Sequence, residues 1–284
     1  MNHISKTSCL LWAGAVAFCL GVLPLAGCSG ATPPSSAGIW AVSEEHVTQT
    51  PLDENDEKTK DVSPEYDTKY EYDEAGCLVK QSDIYKGEVD STTTFTSDEN
   101  GWFVEYTSSG KNQEEQTAKL KNEVDSNGML VHQESDDGLF EVTYEYDGDY
   151  VSKEVDTYYN DKDAKDDPAQ RSQTTIVYNP DGSIATRTYD MSGTLVLQEF
   201  TYERDEQQRP VKMTMNSYDL DENLQKTSEE PAATQEFTYD YDENGKVSRT
   251  ETEYQGVKVV KELTYVRVEN PSRQTKVNDH ILTF

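Results

Sequence analysis

The sequence predicts an all-β protein, a long antiparallel meander of β-hairpin repeats forming a single twisted, curved sheet, as a trough or partial barrel. Three observations carry this. Turn signals of the form Asp or Asn, two residues, then Gly recur at Asp73–Gly76, Asp98–Gly101, Asp125–Gly128, Asn179–Gly182, Asp190–Gly193 and Asp242–Gly245. Between them the side chains alternate, as in Phe237, Tyr239 and Tyr241 against Thr238 and Asp240, which is the period of a strand with one covered face. After the amino-terminal segment no stretch keeps an apolar stripe at helical spacing, so helices should be few and short.

Residues 1–27 have the form of an export signal. Lys6 gives a basic start, Leu10 to Leu25 an apolar run, and small residues follow, so this stretch is not counted as fold. An uncleaved spanning helix is the alternative, because Thr7 to Gly30 carries no charge and exceeds the ~20 residues that cross a bilayer. A signal cut before an anchor, a plain secretory signal and a spanning helix all place the body outside the cytoplasm. Residues 28–38 follow, and from Ser29 they are rich in Ser, Gly, Ala and Pro, which makes a flexible tether.

The body spans residues 39–284. Ile39 to Thr50, with Trp40, Val42 and Val47, reads as a first strand, and residues 51–64 as an acidic loop. From Pro64 the chain repeats. Asp or Asn opens each turn by bonding its own backbone, and Gly closes it by accepting positive φ. Degenerate copies at Asp147–Tyr150 and Asp205–Gln208 lack the closing Gly. A second set of signals, at Tyr85–Gly87, Ser108–Gly110, Asp136–Gly138, Asp190–Gly193 and Gln255–Gly256, falls midway between the first. Each repeat is thus a strand pair, giving seven hairpins plus end strands, roughly fifteen strands, and open sheets beyond ~10 strands curl or split. Further acidic loops fall at 160–170 and 221–234, and Phe284 is expected to pack a last strand against the body.

Charge narrows the partners. With 55 acidic against 25 basic residues the chain carries a formal −30, which repels phosphate backbones and favours cationic partners, so nucleic acid is not expected. If Cys9, Cys19 and Cys28 belong to the leader and its anchor, only Cys77 remains in the body, so no disulfide framework is available there.

Leu25, Ala26, Gly27 and Cys28 resemble the lipobox of bacterial lipoproteins. The resemblance implies that Cys28 receives a diacylglyceryl group, that the chain is cut before it, and that the new amine is acylated. Two or more acyl chains suffice for stable anchoring where one does not. The expected location is the extracytoplasmic side of a membrane. The segments YEYDEAGCL (Tyr70 to Leu78), YDYDENGKV (Tyr239 to Val247) and VYNPDGSI (Val177 to Ile184) resemble the YD repeats of the Rhs family, over roughly residues 66 to 268. In that family the repeats form hairpins that spiral into a hollow shell around a toxic cargo. The family's core cassette and cargo domain are not visible, so the resemblance implies the hairpin architecture rather than toxin delivery.

No enzyme and no cofactor is expected, since a Gly-rich phosphate loop and a serine elbow are both missing, and His46, His132 and His280 are widely spaced. Asp161, Asp163, Asp166 and Asp167 crowd one loop as calcium ligands do, but Asp166 stands where a calcium loop needs Gly and Ser172 where it needs Glu. A solvated loop is the stronger reading. A membrane-spanning barrel is also disfavoured, because both faces of Lys246 to Tyr254 are polar. Trp102, Tyr144, Tyr146, Tyr178, Tyr202, Tyr239 and Tyr241 are candidates for a groove that binds a surface glycan or protein, or else they form the core. The function expected is a displayed binding or structural module of the cell envelope. A carrier of lipid or another apolar ligand is the alternative, and an envelope hydrolase the third.

Overall fold

The computed structural model describes residues 38–52, 65–111, 113–161, 163, 165, 167–191, 194–254 and 256–280. The export signal, Cys28, the tether to Ala37, most of the 51–64 loop and Phe284 lie outside the described residues. Sixteen strands follow one another: β1 (Ile39–Pro51), β2 (Glu65–Tyr72), β3 (Leu78–Tyr85), β4 (Glu88–Ser97), β5 (Phe103–Gly110), β6 (Gln113–Val124), β7 (Leu130–Ser135) and β8 (Phe140–Asp147). The second half holds β9 (Tyr150–Tyr159), β10 (Arg171–Tyr178), β11 (Ile184–Met191), β12 (Thr194–Arg204), β13 (Pro210–Asp219), β14 (Ala233–Tyr241), β15 (Val247–Tyr254) and β16 (Val257–Val268). Every strand pairs antiparallel with its sequence neighbours.

The sheet closes completely, rather than stopping at a trough. β1 pairs with β16 from Ile39 against Val268 to Pro51 against Val257, so no edge runs the length of the barrel. A sixteenth strand follows from closure, because in an antiparallel meander first and last strands can pair only when the strand number is even.

The Asp–x–x–Gly turns all lie at one end. In each, the opening Asp carbonyl accepts the N–H of the closing residue, as Asp98 does from Gly101 at 3.0 Å. Its carboxylate takes the N–H groups two and four residues on, at 2.8 Å from Asn100 and 3.0 Å from Trp102. Gly101 sits at φ 82°, a region costly for L-residues. The degenerate Asp205 turn has the same bonds with Gln208 at φ 64°, and Arg209 pairs with Asp205 at 2.7 Å. Asp147 differs: it pairs with Tyr150 across a two-residue turn with Gly148 at φ 65°.

Two assignments need correction. Asp190 lies inside β11, opposite Gln173 and Leu195, so it does not open a turn; Gly193 lies outside the described residues. Within the 221–234 loop, Asp221 opens a turn closed by Leu224 at φ 61°.

After each Asp turn the register slips by one residue, for example between Glu71 and Tyr72. Such bulges turn side chains at a barrel rim. Here they bring a residue at the start of the next strand inward: Leu78, Phe103, Leu130, Val151, Ile184, Pro210 and Val247 are all buried. Tyrosines close over them. Tyr146 donates to the Leu130 carbonyl at 2.8 Å, Tyr202 to Ile184 at 2.8 Å, Tyr241 to Pro210 at 2.6 Å and Tyr265 to Val247 at 2.7 Å. Tyrosines near the strand ends at this rim are therefore straps from one strand to another.

The chain end seals this rim. Pro271 and Ser272 lead into α1 (Arg273–His280), where the Ser272 hydroxyl takes the Thr275 N–H at 3.1 Å as an N-cap. The Gly76 carbonyl accepts from Ser272 N at 3.2 Å and from the Thr275 hydroxyl at 2.8 Å. Arg273 donates to the carbonyls of Asn127 and Gly128, and Trp102 Nε1 also reaches Gly128 at 3.1 Å. The helix contacts both β1 and β9, which lie eight strands apart around the ring, so it crosses the mouth. The described residues thus end in a capping helix, and Phe284 lies beyond them.

Outside, the barrel is charged. Rows such as Lys80–Glu71 at 2.6 Å, Lys153–Glu145 at 2.7 Å and Lys226–Glu199 at 2.8 Å face solvent. Each is worth ~0–1 kcal/mol, but a lipid-facing surface would have to be apolar.

Candidate functional site

The interior changes character along its axis. The apolar cluster fills the Asp-turn rim and continues to Tyr106 and Phe140, while inward positions of β9 between them are polar. On β9, Glu154 and Asp156 point inward, as their partners Tyr144 and Val142 on β8 do. Their exposures are 0% and 7%. The two carboxyls hydrogen-bond each other, and the Tyr178 hydroxyl donates to Glu154 Oε2 at 2.9 Å. Glu154 Oε1 and Asp156 Oδ1 accept nothing among the described residues. Arg187 on β11 supplies the nearest positive charge, with its guanidinium 5.7 Å from the Phe200 ring centroid.

Burial and the neighbouring Asp156 charge push the Glu154 carboxyl well above its usual range, against the Tyr178 hydrogen bond. Burial raises Asp156 to about 6, with the Glu154 hydrogen bond and Arg187 pulling the other way. Glu154 therefore holds the proton and donates it to Asp156. Burial, then these same carboxylates, also drive Tyr144 and Tyr178 upward. The orphaned oxygens of the cluster need water or a ligand.

At the far rim the wall has a notch. β6 runs twelve residues but β7 only six, and β6 pairs with β7 only from Leu120 to Val124. The β7–β8 turn stops at Lys119, whose carbonyl accepts Asp136 N at 2.8 Å and whose N–H meets Asp136 Oδ1 at 3.3 Å. Above that point β6 pairs with β5 alone among the described residues. Alternate residues of an antiparallel strand direct their backbone groups to the same side, so Thr117 turns its N–H and C=O into the notch.

A cleft of about 480 Å³ occupies this notch. Tyr106, Ala118, Ser135, Phe140 and Tyr158 form its floor, with Gln116, Asp137 and Leu139 at the mouth. Burial, then Asp137 and Asp136, raises the Tyr106 hydroxyl to about 12. The Ser135 hydroxyl is tied to Asp137 at 2.6 Å. Asp156 lies one pleat below Tyr158 on β9, so the cleft opens above the buried carboxylates.

The seven candidate aromatics are placed as follows. Trp102, Tyr144, Tyr178 and Tyr239 are buried in the apolar cluster, and Tyr146, Tyr202 and Tyr241 pack against it as straps. Of the loop acids, Asp161 Oδ1 accepts Asp163 N–H at 2.9 Å and Asp167 Oδ1 accepts Ala169 N–H at 3.0 Å; Asp166 lies outside the described residues. Among those residues no three His, Cys, Asp or Glu side chains come together as a metal group. His46 pairs with Asp67 at 2.5 Å, and Cys77 is a free thiol. The cleft residues Tyr106, Phe140 and Tyr158 and the Glu154–Asp156 pair were not singled out in the sequence. The one signal available was the short spacing between the Asp125 and Asp136 turns, which makes β7 too short to fill the wall.

No protein-family model matches the chain, and no curated protein matches it. Solved structures do. The Tc holotoxin pore of Photorhabdus luminescens aligns over 76% of this chain and 11% of the toxin chain, at 17% identity and TM-score 0.31. A porin-like protein from Bacteroides uniformis aligns over 79% of this chain and 96% of its own, at 12% identity and TM-score 0.35. A "putative lipoprotein" from Parabacteroides distasonis aligns over 81% of this chain and 98% of its own, at 10% identity and TM-score 0.20. At these identities and TM-scores the comparisons carry no role across to this chain.

Proposed function

We propose that this chain is an exported lipoprotein, held to the extracytoplasmic face of a membrane through Cys28, whose barrel is a displayed binding module with its seat in the notch cleft. The carrying observation is the opposition of the two rims. β1 starts at the sealed rim, where Gly38 lies against Val268 and Glu269, so the tether leaves from the capped end and the notched end points away from the lipid. The apolar side chains line the barrel interior, and the charged exterior keeps the wall in solvent. The ligand is a surface glycan or protein rather than nucleic acid, which the −30 charge repels.

Cys28→Ala should abolish acyl labelling and release the protein from membranes; unchanged retention would favour a spanning amino-terminal helix. The cleft is tested by envelope pull-downs with Gln116→Trp, which fills the mouth from an exposed position. Capture by the parent protein and loss in the variant supports the seat. Equal capture by both removes it, and co-purified lipid in native mass spectra would support the carrier reading instead.

A further inference from the structure

The notch leaves a strand edge and a side-chain pocket side by side. β6 and β9 are three strand spacings apart, roughly 14 Å, and the short β7–β8 hairpin fills only the lower part of the gap. Above it Thr117 presents a backbone donor and acceptor to open space, while Gln116 and Ala118 turn their side chains into the cleft. An unpaired edge is a template for another chain. Peptides that add a strand take affinity from the main chain and specificity from pockets for alternate side chains.

Charge selects among peptides. Glu114, Glu115, Asp136 and Asp137 are exposed around the notch, while Lys165 is occupied by Glu134 at 2.8 Å. Inward residues of an added strand would meet Tyr106, Phe140 and Tyr158; outward ones would lie beside Glu115 and Asp136, while Lys119 lies opposite Glu105. We propose that the notch binds an extended peptide by strand addition along β6, with apolar side chains entering the cleft and basic ones facing out. This rests on the binding-module reading and names its ligand class.

The probe is the acetylated, amidated peptide Lys-Val-Lys-Phe-Lys-Val-Lys, added at millimolar concentration to the acylated protein in mild detergent and followed by amide hydrogen exchange. The Thr117 amide should slow, and few amides outside β6 and the β7–β8 turn should change. N-methylation of the alternate set of peptide amides that faces the Thr117 carbonyl should weaken binding by roughly 2- to 12-fold, as loss of a backbone hydrogen bond predicts, while the other set leaves it nearly unchanged. Thr117→Pro removes the edge donor at a position where proline is tolerated and should weaken binding similarly. Failure to protect Thr117, equal effects of both methylated sets, or Thr117 already protected by self-pairing in a concentration-dependent dimer each overturns the proposal. If Gln116→Trp abolishes envelope capture while the peptide gives no protection, the seat stands and strand addition fails.

Discussion

Asp156→Asn should stabilise the barrel at neutral pH and leave it nearly unchanged in acid. The carboxyl titrates near 3.8 when unfolded, and burial raises it to about 6 in the barrel. A folded value above the unfolded one means that the penalty is absent below the lower value and grows as pH rises. Below about pH 4 both states are protonated and the group costs nothing. Above about 6 the ionised carboxylate must be held inside the barrel, and two pKa units correspond to about 3 kcal/mol. Asparagine keeps an oxygen to accept the Glu154 proton and has no charge to bury. The assay is thermal unfolding of parent and variant at half-unit steps from pH 4 to 8. Surface carboxylates titrate in both proteins, so the difference between them isolates this site. The variant should gain up to about 3 kcal/mol, or roughly 6–12 °C for a domain of this size, entirely between pH 4 and 7. A difference independent of pH, or a loss of stability at pH 7, would mean that Asp156 is an ionised partner of Arg187 and would refute the reasoning.

Two further substitutions test the sealed rim. Gly245→Ala meets open space but must hold φ near 77°, so it should cost about 1–2 kcal/mol. Gly76→Ala carries the same strain and also overlaps the Asn270 carbonyl, so it should cost more and expose the segment after Val268 to limited proteolysis; equal losses would show that the carboxyl-terminal cap does not depend on that contact. Tyr241→Phe, which orphans the Pro210 carbonyl, should lower stability by about 1–2 kcal/mol in denaturant titration.

The hairpin plan was legible because its signals are local. An Asp that opens a turn and a Gly that closes it are chosen by the geometry of four residues. Leu224 shows the limit, since it takes positive φ without being Gly and its turn left no mark in the sequence. Asp190 shows the opposite error, a matching spacing inside a strand. Closure was not legible, for Ile39 and Val268 carry nothing that names each other. The buried acids were hidden by the bulges. The slip between Glu145 and Tyr146 shifts which β9 residues face inward, so strict alternation misassigns Glu154 and Asp156. Fifty-five acidic residues offered no composition signal for two. The cap at Arg273 was partly readable, as Pro271 and Ser272 are a helix start, although the helix is too short to show a stripe.

The seam between β1 and β16 sets the order of events in folding. Hairpins can form as soon as their own residues are present, but the seam joins the two extremes of the body and waits for all of them. Contacts of such sequence separation are slow to form. Until it zips, both extreme strands expose full-length edges in a crowded compartment. The heavy negative charge then acts as the chain's protection, keeping unfinished copies apart while the ring is still open.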